Sequence, residues 1–338
     1  MIIPTTQPNR NKVAAIGSAL MDLCLLESDD FLLSSGAQKG GMVIADHTHI
    51  TSVLSKSGNK PSVVPGGSAC NTIVGIGKLG GNARFIGKRG DDELGRELEQ
   101  SLKSSNVEPF LLSSKSPTGH VLSIVTPDAQ RSMLTYLGAS SETLPEEISA
   151  DHFEDSVLVH IEGYLLFNPQ LLKASLRAAK KAGAFVSLDL ASYTIVEESR
   201  ELLEEIMSDY VDILIANEDE AAAFTGFRNK DEAISSLAKQ AQIAVVKVGK
   251  KGSLIAHKGK IHKIAACGSG EAIDTTGAGD LWASGFLYGL VKGYDIETCG
   301  NLGSQCGYEV CQVLGADIPD EGWARVKKLL PTDSRLSS

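Results

Sequence analysis

Basic charge, paired cysteine motifs and long apolar runs are all scarce in this 338-residue chain. Its 32 Lys and Arg are outnumbered by 42 Asp and Glu, leaving a formal net charge of −10. A face that binds nucleic acid needs a basic footprint, so that class of partner is set aside. A nucleotide is not set aside with it, because charges beyond about 8 Å are largely screened and local N–H groups decide phosphate binding. No run of about 18 apolar residues occurs, so no membrane span is expected. The longest candidate, Ser156 to Phe167, is broken by His160 and Glu162. The start, MIIPTTQPNRNK, lacks a basic segment followed by a long apolar one, and no secretory signal is read there. Six cysteines (Cys24, Cys70, Cys267, Cys299, Cys306, Cys311) form no Cys-x-x-Cys pair and no zinc spacing. Set mostly among small apolar residues, they point to free thiols and a reduced, cytoplasmic setting. His47 and His49 have no third ligand nearby and read as a polar helix start. The Gly-x-x-x-x-Gly-Lys-[Ser/Thr] phosphate loop is absent too, since Gly249-Lys250-Lys251 runs into Gly252.

What is present is concentrated near the end of the chain, in Asp274-Thr275-Thr276-Gly277-Ala278-Gly279-Asp280 followed by the apolar segment from Leu281. The glycines permit a tight turn with its N–H groups exposed. The first N–H groups of the following helix lack internal partners and sit at the positive end of its dipole. That makes an anion cradle, with Asp280 against the anion. A carboxylate beside a phosphate is repulsive, and abstraction of a proton from an attacking hydroxyl is a chemical reason for its presence.

With 338 residues the chain can bury one large core or two smaller ones. From residue 155 onward, strand-like runs (Val157 to Ile161, Phe185 to Leu190, Ile213 to Ala216, Ile243 to Val248) alternate with helical spacing at Leu171 to Lys181 and Asp231 to Gln240. Such alternation predicts parallel βαβ units. Ligands in such sheets bind outside the carboxyl ends of the strands, where Gly17, Glu162-Gly163, Asp189, Asn217 and Gly249 should gather. Leu23 to Ala45 and Thr118 to Leu137 break the rhythm with short strand-like pieces. Pro127 to Arg131 reads as the turn of a β-hairpin, and both segments read as a small sheet over the ligand edge.

Several motifs carry two readings each. Pro65-Gly66-Gly67-Ser68-Ala69-Cys70-Asn71 suits close backbone approach to a ligand with Asn71 binding hydroxyls, or a plain loop with an Asn cap. Gly75-Ile76-Gly77-Lys78-Leu79-Gly80 has dinucleotide spacing but falls inside a helix rather than before one. Asp22 suits a sugar hydroxyl or a solvated turn. Asn217-Glu218-Asp219-Glu220 suits either a helix start or oxygen ligands for hydrated Mg²⁺. Gly249 to Gly252 suits a hairpin or a nucleotide-side loop.

Taken in order, Gly66 to Asn71, Gly87-Lys88-Arg89-Gly90-Asp91-Asp92-Glu93-Leu94-Gly95, Asn217 to Glu220 and Asp274 to Asp280 resemble the ribokinase, or PfkB, family of ATP-dependent sugar and nucleoside kinases. The resemblance runs from Val13 to about Ile318. It implies an α/β ribokinase-like three-layer sandwich with a mostly parallel central sheet and a small β-sheet lid. The large unit would comprise residues 1–22, 46–117 and 138–330, the lid 23–45 and 118–137, and the tail 331–338. It implies Asp280 as catalytic base, and Gly277, Ala278 and Gly279 as the anion hole. Asp22, Gly66, Gly67, Asn71 and Arg131 would face the acceptor. Asn217, Glu220, Lys247, Gly249, Gly252 and Asn301 would lie on the ATP side, with Glu220 reaching Mg²⁺ through water and Asp274 near a K⁺ ion. Gly17 to Asp22, Lys39 to Met42, Arg131 to Ala139 and Ile161 to Tyr164 look like the adenosine-kinase branch. At the expected base-stacking position, however, Thr194 stands where an aromatic is common, with Tyr193 beside it. The expected acceptor is therefore a nucleoside, with a free sugar as the alternative. A non-catalytic nucleotide sensor and a dinucleotide oxidoreductase are the readings from other classes. Monomer and homodimer both stay open.

Overall fold

The computed structural model describes Ile3, residues 10–128 and residues 130–331. Ala129, inside the expected 127–131 turn, and tail residues 332–338 lie outside the described residues, as does most of the N-terminal stretch. The chain opens with β1 (Lys12–Ile16), β2 (Leu20–Leu26), α1 (Asp29–Ser35), β3 (Met42–Ile44), α2 (His47–Lys56), β4 (Ser62–Gly66) and α3 (Ser68–Lys78). It continues through β5 (Asn82–Gly90), α4 (Glu93–Ser104), β6 (Val107–Ser114), β7 (Gly119–Val125) and β8 (Arg131–Tyr136). The alternating part follows: β9 (Ser156–Glu162), α5 (Pro169–Lys181), β10 (Phe185–Asp189), α6 (Tyr193–Glu198), α7 (Arg200–Tyr210), β11 (Ile213–Asn217), α8 (Glu218–Thr225), α9 (Lys230–Leu237) and β12 (Ile243–Lys247). The chain then runs through β13 (Ser253–His257), β14 (Lys260–Ile264), α10 (Ala278–Val291), α11 (Ile296–Val310) and α12 (Asp320–Lys327).

Nine strands form the large sheet in the order β14-β13-β12-β11-β10-β9-β1-β5-β6, parallel from β12 to β6 and antiparallel at the β13 and β14 edge. Helices cover both faces, because the parallel strands are apolar on both: β1, Lys12-Val-Ala-Ala-Ile16, is buried at four of its five positions. One core lies under α3, α10 and α11 and includes Phe85, Leu281 and Phe286. The other lies under α5 to α9 and includes Val159, Leu188 and Leu214. This is the α/β architecture with a large, mostly parallel sheet and a smaller second sheet that the sequence predicts.

The small sheet, ordered β3-β8-β7-β2-β4, has its own apolar cluster, with Leu25, Ile50, Val53 and Leu122 at its centre. Its extent differs from the sequence division. Strand β4, Ser62–Gly66, pairs antiparallel with β2, which begins at Leu20, and α2 packs Ile50 and Val53 into the lid cluster, whereas the sequence division places residues 1–22 and 46–117 in the large unit. Strand β4 carries no strong alternation, so only its pairing partner reveals its sheet. The β7–β8 hairpin forms as expected.

Helix α10 is buried from Leu281 through Leu290, sandwiched between α3 and α11. The approach of α3 is close enough that a Cβ on Gly75 would collide with Ser284 Oγ. The Gly75-x-Gly77-x-x-Gly80 spacing thus serves helix packing inside and at the end of α3, not a dinucleotide. Phe286 is fully buried and stacks on Trp282 at a centroid distance of 5.0 Å. Phe286→Ala is expected to cost about 3–5 kcal/mol by urea denaturation, the span for emptying a buried aromatic site. A cost under about 1 kcal/mol would contradict this packing.

Candidate active site

Adjacent strands of the large sheet end on polar residues: Glu162 on β9, Asp189 on β10, Asn217 on β11 and Lys247 on β12. The register sets Asp189 opposite Glu162 and Asn217 opposite Lys247. Side chains alternate along a strand, so each shares the face covered by α3 and α10. Buried charge is costly unless it is paired or hydrogen-bonded, and each of these groups is. Glu162, fully buried, accepts hydrogen bonds from the backbone N–H of Ser18 (2.8 Å) and Ala69 (2.9 Å). Burial raises its pKa, partly offset by those donors. It thereby ties the β1–β2 turn to the start of α3.

Asp280 is the third residue of α10, and its carboxylate is partly buried. Ser68 Oγ donates to Oδ1 at 2.8 Å and Asn71 Nδ2 donates to Oδ2 at 3.0 Å. Ser68 and Asn71 are three residues apart on α3, the spacing that puts two side chains on one helix face. Hydrogen bonds to a charged group contribute about 1.5–3 kcal/mol each. Thr72 Oγ1 and Ser284 Oγ both donate to the Asp280 carbonyl, at 3.1 and 3.0 Å. Burial raises the Asp280 pKa above the ordinary 3.8, and the Asn71 and Ser68 donors pull it back in part. Gly277, at φ 70°, begins the helix from a left-handed conformation that favours glycine, and it offers no capping side chain. The first turn therefore has no side-chain cap from that position, and of its N–H groups Ala278 N donates to the Thr275 carbonyl at 3.2 Å.

Asp274 folds the loop ahead of this helix. Its Oδ1 accepts from Thr276 N and Oγ1, at 2.9 and 2.8 Å, and its Oδ2 accepts from Gly315 N at 2.8 Å. From the lid, Arg131 Nη1 donates to Thr276 Oγ1, Nη2 reaches Asp22 at 3.4 Å, and Nε donates to Ser123 Oγ at 2.9 Å. Nη1 also lies 4.0 Å from Asp274. One guanidinium thus joins the small sheet to the glycine loop. Asp22 is buried, which raises its pKa, while Arg131 lowers it. Gly66, at the end of β4, lies against the Asp22 carboxylate, and Gly67 precedes α3.

On the other flank, Asn217 and Glu220 form a reciprocal capping box at the start of α8. Asn217 Oδ1 accepts from Glu220 N (2.9 Å), and Glu220 Oε2 accepts from Asn217 N (2.8 Å). Burial, and then the nearby Asp189, push the Glu220 pKa upward. Lys247 Nζ pairs with Asp189 Oδ2 at 2.9 Å. Although burial opposes its charge, Asp189 and Glu220 raise the Lys247 pKa. Removing one partner of such a buried pair costs about 3–5 kcal/mol. Gly249 and Gly252 bound a short turn linking β12 to the antiparallel β13, so this segment is indeed a hairpin turn at the cleft end of the sheet.

Asp22, Gly66, Gly67, Asn71, Arg131, Asp274 and residues 277–280 therefore meet, with Asn217, Glu220, Lys247 and Gly249 at the neighbouring strand ends. Asn301 does not join them. It is exposed on α11, six residues before Gly307, which abuts Ala278. Six helical residues span about 9 Å. Tyr193 is 52% exposed, and Thr194 Oγ1 is hydrogen-bonded to Ser192 Oγ at 2.9 Å. Ser68 and Thr72 carry no individual role in the sequence reading, and Glu162 and Asp189 enter it only as residues expected at the ligand edge. Ser68 was available from its three-residue spacing to Asn71. Glu162 and Asp189 were available as carboxylates closing apolar strands.

The pfkB family carbohydrate kinase pattern matches residues 11–322. Among solved structures, adenosine kinase from Sinorhizobium meliloti has a TM-score of 0.84 to this chain at 32% identity, covering 94% of this chain and 99% of its own. A nucleoside kinase of Methanocaldococcus jannaschii is 29% identical over 269 residues, 78% of this chain and 85% of the relative. A fructokinase of Escherichia coli is 28% identical over 251 residues, 71% of this chain and 81% of the relative. The family implies ATP and a divalent metal, and its members phosphorylate hydroxyl groups on small molecules. The chain belongs to the pfkB family of carbohydrate kinases and is a sugar or nucleoside kinase.

Proposed function

We propose that this kinase transfers the terminal phosphoryl group of ATP to the 5′-hydroxyl of an adenosine-like nucleoside, with Asp280 as general base. The observation that carries this reading is the Asp280 carboxylate, oriented by Ser68 and Asn71 in the first turn of a helix that starts on glycine. A proton acceptor and anion-binding N–H groups then adjoin the same point. Asp280 accepts the proton of the attacking hydroxyl. Because phosphoryl transfer is loose, a carboxylate of modest basicity suffices, and burial makes this one a stronger base than a free aspartate. The N–H groups of Gly277, Ala278 and Gly279 take the charge on the transferred group, where preorganised donors act most strongly. Asp22, Asn71 and the backbone at Gly66 and Gly67 hold the acceptor hydroxyls. Asn217, Glu220, Lys247, Gly249 and Gly252 serve the nucleotide.

Among the described residues, no group of three or more His, Cys, Asp or Glu side chains is arranged to hold a metal ion. That suits Mg²⁺, which keeps several waters and binds through substrate phosphates and one or two carboxylates. Glu220, already accepting from Asn217 N and Nδ2, fits a contact through water. When bound, the ion would neutralise charge on the phosphate oxygens. Asp274, whose oxygens accept from Thr276 and Gly315, is the candidate neighbour of a K⁺ ion, and no step is assigned to that ion.

Two observations favour a neutral nucleoside. Arg131 is balanced by Asp22 and Asp274, leaving little charge for an acidic acceptor. Tyr164 is 38% exposed, and its phenol pKa is pushed up to about 12, by burial first and then by Asp280, Glu162, Glu220 and Asp189. Its ring offers a flat surface near those groups for a base. The free-sugar reading is favoured by the fructokinase relatives and by the polar lid face of Asp22, Ser123 and Arg131.

ADP release with MgATP across a panel of nucleosides and free sugars tests the acceptor. Turnover of nucleosides is expected, and activity on fructose or ribose alone would overturn this assignment. Asp280→Asn should still bind both substrates while turnover falls about 10²–10⁴-fold, the span for loss of a general base. Near-normal turnover would remove Asp280 from that role. In wild type, kcat/KM should fall as pH drops through the raised Asp280 pKa, giving an acid limb above 3.8. Asn71→Ala deletes a hydrogen bond that stabilises the ionised form, so that limb should move to higher pH. A limb that stays in place would contradict the assignment.

A further inference from the structure

We infer that the Lys247 ammonium contacts the phosphoryl group being transferred and that Asp189 is the residue that positions it there. This deepens the kinase reading above and rests on it. Lys247 ends β12 with its side chain only 16% exposed, and its ammonium does not turn to solvent. A Cβ on Gly279 would stand 2.9 Å from Nζ, so the cation lies against the first turn of α10. That is the positive end of the helix, where a cation is repelled. Two positive elements therefore converge on one point, next to the base Asp280. Asp189, Glu220 and Asp280 hold the ammonium there against that repulsion. A multiply charged anion at that point satisfies both positive elements.

Asp189 holds the arrangement in the meantime. Its Oδ2 pairs with Nζ at 2.9 Å, and its Oδ1 accepts from Ala191 N at 3.1 Å. Ala191 adopts φ 62°, a left-handed conformation uncommon for a residue with a side chain. Strain of this kind persists where the surroundings enforce it, and here it accompanies the turn that aims the carboxylate. Asp189 and Glu220 both stabilise the Lys247 charge against burial, and Asp280 adds to them, so the lysine stays cationic. A compact ammonium suits a phosphate as a point charge and asks for no fixed bidentate geometry.

The test uses the full chain with Lys247→Gln, Asp189→Asn and the double variant, in which neither charge is left buried without its partner. MgATP and MgADP binding are titrated in each, and ADP release is measured with an acceptor that wild type turns over. The double variant should bind MgADP within about threefold of wild type but lose about tenfold in MgATP affinity. Its kcat should fall about 10²-fold with the acceptor KM unchanged, comparable to removing one donor that stabilises transition-state charge. Asp189→Asn alone should cost about tenfold in kcat, and adding it to Lys247→Gln should cost nothing further, as expected for residues acting as a unit. A double variant that keeps the wild-type preference for ATP over ADP, with wild-type kcat, would overturn the inference. Fully additive losses would remove Asp189 from the positioning role. If wild type releases no ADP with any acceptor, the kinase reading fails by itself. The ATP-against-ADP comparison still decides whether Lys247 meets the terminal phosphate.

Discussion

One carboxylate, shared between the first turns of two helices, is the constraint on which the rest of this molecule depends. Asp280 belongs to α10, and the donors that hold it, Ser68 and Asn71, belong to α3, more than 200 residues earlier. The hydrogen bonds require the two helices to run close together. Gly75 permits that approach at Ser284, one turn beyond Asp280. The same contact places the glycine loop at the C-terminal edge of the large sheet, where the acidic strand ends already lie. A helix pair loosened for any reason would therefore also misorient the Asp280 carboxylate.

Gathering Glu162, Asp189, Glu220 and Asp280 on one edge works against stability. Burial raises the pKa of Glu162, Glu220 and Asp280 and mutual repulsion adds to it. Each carboxylate is retained by a different device. Glu162 takes two backbone N–H groups, Glu220 its own helix cap, Asp280 two side-chain donors and Asp189 a lysine. Only the last brings in a positive side chain, which leaves the edge with a deficit of positive charge. A phosphate-rich ligand does not relieve that deficit, so the divalent ion implied by the family fits the local electrostatics as well as the reaction.

The small sheet is attached through polar contacts where it meets the site. Arg131 touches Ser123 and Asp22 within the lid and Thr276 in the glycine loop. The lid has its own apolar cluster, so it behaves as a packed body. Its approach to the large sheet is tied to the position of the glycine turn through one guanidinium. The lid and the glycine loop are joined there by polar contacts.

Much of this was legible in the sequence, and the remainder was hidden for definite reasons. Period and composition identify β9 to β12 and the helices between them, because parallel strands are apolar on both faces and helices carry 3.6-residue spacing. The Asp274 to Asp280 turn and the Asn217 to Glu220 helix start are local chemistry, expressed within a few residues of chain. Strand β4 was hidden because its membership in the lid depends on pairing with β2, which no local pattern encodes. Glu162 is readable as a strand-end carboxylate, but its partners were hidden, because Ser18 and Ala69 supply their N–H groups only in the folded chain. Asp189 and Lys247, 58 residues apart, become a pair only through a shared sheet edge. The sequence by itself determined the strand ends, the glycine turn and the kinase class. Only tertiary structure decided which donors hold Asp280 and which carboxylate holds Lys247, since hydrogen bonds and ion pairs act over about 3 Å, however far apart the residues lie along the chain.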